Sequence, residues 1–151
     1  ALRDAGILAE VGLLQDEAEA LNAGFVSRVL RGRPRVRLKI AASLDGATAM
    51  ASGESQWITG EEARADVQKQ RARSGAVMTG IGTVLADDPS LNVRDRTLAT
   101  GGRQPLRVVL DSRLSMPLTA TMLTLPGTTL VCCTAGSDAA ALRDDGAHVM
   151  E

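Results

Sequence analysis

From residue 36 onward, short apolar runs alternate with helical segments, and this alternation constrains the fold more than any other feature of the sequence. The apolar runs are VRLKIAAS, GAVMTG, LRVVLDS, TTLVCCT and AHVM. Helical patterns lie between several of them, at EEARADVQKQRARS, TVLADD and DAAALRDDG. Strands that are connected through helices form a mostly parallel sheet covered by helices on both faces. The sequence therefore predicts an α/β fold.

Chain length, net charge and cysteine content indicate which classes of protein this sequence can belong to. A chain of 151 residues is long enough for one domain with its own hydrophobic core. The formal net charge of −1 does not indicate a polyanionic partner, and no apolar stretch is long enough to cross a bilayer. Cys132 and Cys133 are adjacent, so a disulfide between them would be strained and reduced thiols are expected. These features predict a cytoplasmic protein with neither a nucleic acid nor a membrane as partner.

The N-terminal part of the chain has a pattern of its own. ALRDAG is typical of a helix that ends at Gly6, and ILAEVGLL is typical of a strand. From Gln15 to Leu30, apolar residues recur every three or four positions, which predicts an amphipathic helix. The basic segment RGRPR has the composition of a connector. We therefore expect a first unit over residues 1–34 and a second over residues 35–151.

Lys39 is a charged residue inside an apolar strand pattern. In VRLKI the apolar residues alternate with basic ones, so Lys39 lies on one face of the predicted strand. A lysine within a covered sheet is costly unless an anion or a hydrogen-bonding group meets it. Two interpretations follow from the pattern: a cation at a cleft, or a lysine on an edge strand whose amine reaches solvent.

Arg71 has a similar position on a predicted helix. Thr59 and Glu62 have the spacing of a capping box, which predicts where the helix begins. Arg71 follows Val67 by four positions and therefore shares its inward side. A guanidinium on that side grips either a phosphate or carboxylate of a ligand, or an acidic side chain of the same protein.

The segment TGIGTVLADDPSLNVR, residues 79–94, combines a strand end, a glycine-containing turn and a helix start. This arrangement offers backbone N–H groups to an anion, although its glycines are too few for a dinucleotide fingerprint. The alternative is that residues 87–89, Asp-Asp-Pro, end the helix as an ordinary turn. Arg94 is either a second phosphate ligand or a surface arginine.

Metal and triad chemistry are not indicated. His148 is the only histidine, and it lies in the last strand pattern. The sequence contains no cysteine and histidine spacing typical of a zinc site and no Ser–His arrangement typical of a triad. We expect no metal in this stretch.

Three segments together resemble one enzyme family: LKIAASLDGATAMASGESQWITG, ARADVQKQRARSGAVMTGIGTVLADDPSLNVR and QPLRVVLDS. They resemble the reductase part of the bifunctional riboflavin-biosynthesis deaminase/reductase, diaminohydroxyphosphoribosylaminopyrimidine deaminase / 5-amino-6-(5-phosphoribosylamino)uracil reductase. The resemblance covers nearly the whole chain and is densest from Leu38 to Arg94. Residues 1–34 resemble the tail of the family's deaminase domain and its connector, and residues 35–151 the N-terminal part of its reductase domain.

The resemblance implies a dihydrofolate-reductase-like fold and an NADPH-dependent reduction. The expected substrate is a phosphorylated pyrimidine, 5-amino-6-(5-phosphoribosylamino)uracil, and the product is its ribitylamino form. In the family, the ribose opens and its former anomeric carbon accepts a hydride. The residues themselves do not separate NADPH from NADH. The family also commonly assembles through this domain, which implies a homo-oligomer.

The resemblance also assigns roles to individual residues. It implies that Lys39 is catalytic, polarising the ring-opened sugar or stabilising developing charge. It implies two sets of ligand contacts. The substrate contacts are Ser55, Arg71, Leu91 and Arg94. The NADP contacts are Ala41, Trp57, Thr83, Asp87 and Ser112. Trp57, the only tryptophan, would thus lie against a flat ligand, and the resemblance favours the functional interpretation of both Lys39 and Arg71.

Two of the family's features have no counterpart in this sequence. These are the deaminase's zinc-binding histidine and cysteines and a later glycine-rich segment that cradles the NADPH phosphates. The expectation is therefore a reductase domain truncated at its C-terminal end, with little turnover when expressed alone. The alternatives are an inactive fragment, a non-catalytic module that binds nucleotide phosphates, and a reductase of the same fold acting on a pterin-like substrate.

Overall fold

The computed structural model describes all residues, 1–151, and they form two compact units. The first unit comprises Ala1–Ala41 and the second Ala42–Glu151.

The first unit contains two short helices after a 3₁₀ turn. The turn, Arg3–Ala5, ends at Gly6 in a left-handed conformation with φ 76°, as the sequence predicts. The helices are α1, Gln15–Leu21, and α2, Ala23–Arg31. The sequence predicts one continuous helix here, but Asn22 divides it. The Asn22 side-chain amide donates to the carbonyl of Ala18 at 2.9 Å, a local hydrogen bond that competes with helix continuation.

Two predicted strands do not form. No regular secondary structure forms over residues 7–14 or over residues 36–43. The prediction of strands there is wrong because a strand needs a neighbouring strand to pair with its backbone. None of the strand pairings in the structure includes either segment.

The second unit is built on a four-stranded sheet. Its elements in chain order are α3, Glu61–Ala72; β1, Ala76–Gly80; α4, Ile81–Asp87; β2, Leu106–Leu110; α5, Thr121–Thr124; β3, Thr129–Cys132; α6, Ala140–Asp144; and β4, His148–Met150. The strand order is β1-β2-β3-β4, and every pair is parallel. Parallel neighbours require crossover connections, which the helices supply. The predicted α/β fold is confirmed.

The hydrophobic core lies on one face of this sheet. Val109 of β2 and Val131 of β3 are register partners, so their side chains leave the sheet on the same face. Both are fully buried, as is Met122 of α5, and Leu142 of α6 packs with them at 4% exposure. The helices therefore owe their positions to the apolar side chains that they pack against these strands.

A buried arginine holds the turn that leads into β3. Arg107 of β2 is 1% exposed, and its Nη2 donates to the carbonyls of Leu125 and Gly127 at 3.1 and 2.6 Å. Gly127 has φ +114°, and a Cβ there would lie 3.1 Å from the Gln104 side chain. Only glycine fits this turn without strain.

No helix in the structure combines the length and the apolar character that membrane spanning requires.

Candidate functional site

Three adjacent strands end together at one edge of the sheet. Gly80 of β1, Leu110 of β2 and Cys132 of β3 are register neighbours at their carboxyl ends. In open parallel sheets, ligands bind outside this edge. Two of the predicted cofactor contacts come directly after it: Thr83 follows β1, and Ser112 follows β2. The topology therefore places both residues at the edge where such sheets bind ligands.

The backbone around Ser112 is firmly held. Its carbonyl accepts hydrogen bonds from the backbone N–H and the hydroxyl of Thr134 at 3.3 and 2.7 Å. The buried carboxylate of Asp111 accepts from the Ser115 hydroxyl at 3.0 Å and the Met116 N–H at 2.8 Å. The Ser112 side chain itself is exposed. Asp111 was not predicted as a site residue, because its only signal in the sequence is a carboxylate at the end of an apolar strand.

Thr83 and Asp87 lie four residues apart on α4 and share one exposed face. The helix ends at Asp88, which has a left-handed φ of 40°. The Asp88 carboxylate accepts hydrogen bonds from the hydroxyl and the N–H of Thr121, and these bonds hold the pKa of Asp88 below its usual value. Asp88 thus serves as the helix-ending turn residue that the sequence offered as one alternative.

Arg71 of α3 is half-buried and has no acidic partner. Its Nη1 donates to the carbonyl of Asn92 at 3.1 Å. Neither of the structure's two ion pairs involves Arg71 or Arg94. Burial lowers the pKa of Arg71, and the nearby positive charge of Arg94 lowers it further. Of the two interpretations of Arg71, the intramolecular ion pair is therefore wrong.

Arg94 is an exposed arginine at the end of a tightly held segment. Its N–H donates to the side-chain oxygen of Gln68 on α3 at 2.8 Å, and its Nη1 to the Ser90 hydroxyl at 3.2 Å. One residue earlier, the N–H and carbonyl of Val93 bond to the amide of Gln104 at 2.8 and 3.1 Å. These glutamines bring Arg94 close to Arg71. Sequence reasoning missed both, although Gln68 lies three residues before Arg71 on the same helix face.

Leu91, a predicted substrate contact, lies in the hydrophobic core. Its side chain is 6% exposed and packs with the other core residues. Its φ is 46°, a left-handed conformation that is uncommon for leucine and costs about 1–3 kcal/mol. The Leu91 side chain is therefore buried in the core, whereas the Arg94 side chain is exposed.

Trp57 is 69% exposed and lies before α3, not in the core. The guanidinium carbon of Arg64 lies 4.5 Å from the centre of its ring. Ser55, two residues earlier, is half-buried. The predicted capping box is wrong, because Gly60 rather than Thr59 is the N-cap and no side chain caps the helix. The carbonyl of Thr59 instead accepts a hydrogen bond from Arg64.

The remaining predicted residues, Lys39 and Ala41, belong to the first unit. Lys39 is exposed and Ala41 is half-buried. The prediction that Lys39 sits on the face of a strand is wrong, because its segment has no strand partner. Ala41 is the last residue of this unit.

Three exposed side chains of the second unit have the chemistry that a dinucleotide contact requires. The exposed ring of Trp57 suits a flat, apolar ligand ring. The exposed hydroxyls of Thr83 and Ser112 suit sugar or phosphate oxygens. A Cβ placed on Gly80 or Gly82 would meet no atom within 4 Å, so the turn after β1 has open space above it.

Comparison with known proteins gives a consistent result. The family model "RibD C-terminal domain" matches residues 34–144. The chain is 56% identical over 121 residues to the riboflavin biosynthesis protein RibD of Haemophilus influenzae, covering 74% of this chain and 32% of that protein. It is 49% identical over 137 residues to RibD of Escherichia coli, covering 85% and 37%. The chain thus spans about a third of the length of these relatives.

Solved structures agree with this assignment. Acinetobacter baumannii RibD, form 1, superposes with a TM-score of 0.88 at 51% identity, over 99% of this chain and 42% of that chain. A Thermotoga maritima diaminohydroxyphosphoribosylaminopyrimidine deaminase/5-amino-6-(5-phosphoribosylamino)uracil reductase superposes with a TM-score of 0.77 at 34% identity, over 90% and 38%. The predicted dihydrofolate-reductase-like fold is confirmed by these neighbours. The chain belongs to the RibD C-terminal domain family.

Proposed function

We propose that this chain carries out the NADPH-dependent reduction of 5-amino-6-(5-phosphoribosylamino)uracil to 5-amino-6-(5-phosphoribitylamino)uracil, a step of riboflavin biosynthesis. The observation that carries the proposal is the pair formed by Arg71 and Arg94, two neighbouring guanidinium groups without an acidic partner. Adjacent positive charges repel each other, so an unpaired couple of this kind favours a bound anion. The Thermotoga maritima relative is named as a 5-amino-6-(5-phosphoribosylamino)uracil reductase.

The substrate phosphate is assigned to the arginine pair. The Arg71 guanidinium is half-buried and already fixed on one side by the carbonyl of Asn92. A guanidinium fixed in this way offers its remaining N–H groups in a planar fork that matches phosphate oxygens. Arg94 is anchored through Gln68 and Ser90, and its exposed guanidinium provides a second positive charge for the phosphate. Ser55 is assigned to the polar part of the substrate. Leu91 is assigned an indirect role, since its side chain packs in the core.

The cofactor is assigned to the carboxyl edge of the sheet. NADPH, when bound, supplies the hydride for the former anomeric carbon of the ring-opened ribose. Trp57 offers a flat apolar surface, Thr83 and Ser112 offer hydroxyls, and the Asp87 carboxylate accepts hydrogen bonds from ligand hydroxyls. The backbone at Ala41 is assigned to the same ligand by family likeness.

Lys39 is assigned the catalytic role. Opening of the ribose ring breaks the bond between the anomeric carbon and the ring oxygen, which leaves an imine at that carbon and negative charge on the ring oxygen. An ammonium group aimed at the ring oxygen would stabilise this charge, and the imine carbon would accept the hydride while its nitrogen takes up a proton. Lys39 is exposed and therefore free to meet a ligand.

The proposal also covers the domain organisation, the oligomeric state and the cellular location of the enzyme. The family match that begins at residue 34 supports a reductase segment over residues 35–151, preceded by a deaminase tail and connector over residues 1–34. A homo-oligomeric, cytoplasmic enzyme accords with this family membership.

Cofactor binding is tested by titrating NADPH while the fluorescence of Trp57 is recorded. Because Trp57 is the only tryptophan, we expect saturable quenching together with energy transfer to the nicotinamide. Trp57→Phe, which removes the donor and keeps an aromatic ring, is the control and should lose the signal. A folded protein with no saturable quenching would contradict the assignment of Trp57 to the cofactor site.

A further inference from the structure

Arg64 makes a contact that the proposed reaction does not use. It lies in the first turns of α3, and its guanidinium carbon is 4.5 Å from the centre of the Trp57 ring. That distance is within the range of a cation–π interaction. The Arg64 side chain is only 33% exposed, although the ring that it covers is largely in solvent. Arginine side chains at the surface usually extend into water, so this position needs specific contacts to hold it.

A second contact supplies that hold. Arg64 Nη1 donates to the carbonyl of Thr59 at 2.6 Å. The opposing carboxylate of Glu61 is 4.0 Å from Arg64 Nη2 and is itself 95% exposed, so this ion pair adds little. The hydrogen bond to Thr59 therefore fixes the guanidinium plane. One side chain thereby joins the first turns of α3 to the loop that carries Trp57.

The Arg64 contact leaves only one face of the Trp57 indole ring open. An indole has two faces, and the guanidinium occupies one of them. With one face covered by a cation, a planar ligand has a single face left on which to stack. The cation also fixes the tilt of that face, which removes rotamer freedom that a ligand would otherwise have to remove on binding.

We propose that Arg64 is a positioning residue for the cofactor, holding the Trp57 ring so that its open face receives the planar part of NADPH. This inference rests on the proposed function, since it takes Trp57 to be a cofactor contact. Arg64 acts through Trp57 and not on the reacting atoms. Its contribution is to cofactor affinity.

The test compares three variants of the whole chain with the unsubstituted protein. Arg64→Met keeps a long flexible side chain but removes the charge and the hydrogen bond to Thr59. Arg64→Lys keeps a cation near the ring but loses the planar fork. Arg73→Met is the matched control, because Arg73 is an exposed arginine at the opposite end of α3. Each protein is measured by acrylamide quenching of Trp57, by NADPH titration and by thermal unfolding followed by circular dichroism.

We expect Arg64→Met to expose the second face of the ring, so acrylamide quenching of Trp57 increases. The Kd for NADPH should rise about two- to fivefold, the range expected for loss of one exposed cation–π contact. Arg64→Lys should restore part of the affinity, and Arg73→Met should leave both quantities unchanged. A purely structural role would instead lower the unfolding temperature without this graded change in affinity.

Two results would overturn the inference. Unchanged acrylamide quenching and unchanged NADPH affinity in folded Arg64→Met protein would show that Arg64 does not orient the ring. If Arg64→Met does not fold, Arg64→Gln, which also removes the charge, takes its place, and unchanged quenching with unchanged affinity in that variant leads to the same conclusion. If the unsubstituted protein does not bind NADPH, the proposed function is wrong, and so is the cofactor role of Arg64 that depends on it. In that case the acrylamide comparison separately reports whether Arg64 covers the ring.

Discussion

Replacing Arg71 by methionine is expected to raise the Kd for 5-amino-6-(5-phosphoribosylamino)uracil about 10- to 100-fold. The change removes charge-assisted hydrogen bonds to the phosphate, each worth about 1.5–3 kcal/mol. Methionine retains the length and the apolar stem, so the packing of α3 is largely preserved. The measurement is isothermal titration calorimetry with the phosphorylated compound and, separately, with the same compound lacking its phosphate.

The comparison of the two ligands distinguishes phosphate recognition from general disturbance of the site. We expect Arg71→Met to bind the phosphate-free compound as weakly as the unsubstituted protein does. Arg73→Met, two residues further along and exposed, is the control and should bind both ligands normally. An equal loss of affinity for both ligands would contradict the assignment of the phosphate to Arg71.

Replacing Met122 by alanine is expected to lower the free energy of unfolding by about 2–5 kcal/mol. Met122 lies on the four-residue helix α5, has no exposed surface, and packs in the core beside Val109 and Val131. Truncation leaves a cavity that the rigid sheet face cannot fill by relaxing. The loss is a large fraction of the stability of an ordinary domain. Chemical denaturation followed by circular dichroism measures it.

Met78→Ala is the matched control for this substitution. Met78 belongs to β1 and is 61% exposed, so the same change in side chain removes little buried area. We expect an effect within about 0.5 kcal/mol. Comparable losses for the two variants would show that the core does not lie on the Met122 face of the sheet.

The strands of the sheet could be predicted because their signal is local. Each of β1 to β3 contains an apolar run rich in β-branched residues, and each is bounded by glycine or polar residues. The same signal is present in the runs at residues 7–14 and 36–43, but neither forms a strand. The difference is the presence of a pairing partner, which the sequence of the run itself does not contain. The short helix α5 was missed because four residues show no helical periodicity.

Only those features of the site that depend on local spacing could be predicted from the sequence. Spacing placed Arg71 on the inward side of α3, and the structure half-buries it. The roles of Gln68, Gln104 and Arg64 depend on which backbone groups lie next to them in space. Gln104, for example, bonds to a residue 11 positions away. Such contacts between distant residues leave no periodic signal, so they emerge only from the folded chain.

The central claim is hydride transfer to the former anomeric carbon, and isotope labelling tests it most directly. The protein is incubated with the phosphorylated pyrimidine substrate and NADPH that carries deuterium at both C4 positions of the nicotinamide. We expect NADPH oxidation that depends on the substrate, at the low turnover predicted for the chain when it is expressed alone, with one deuterium at C1′ of the ribityl group in the product. Substrate-independent oxidation, or a reduced product with no deuterium at C1′, would contradict it.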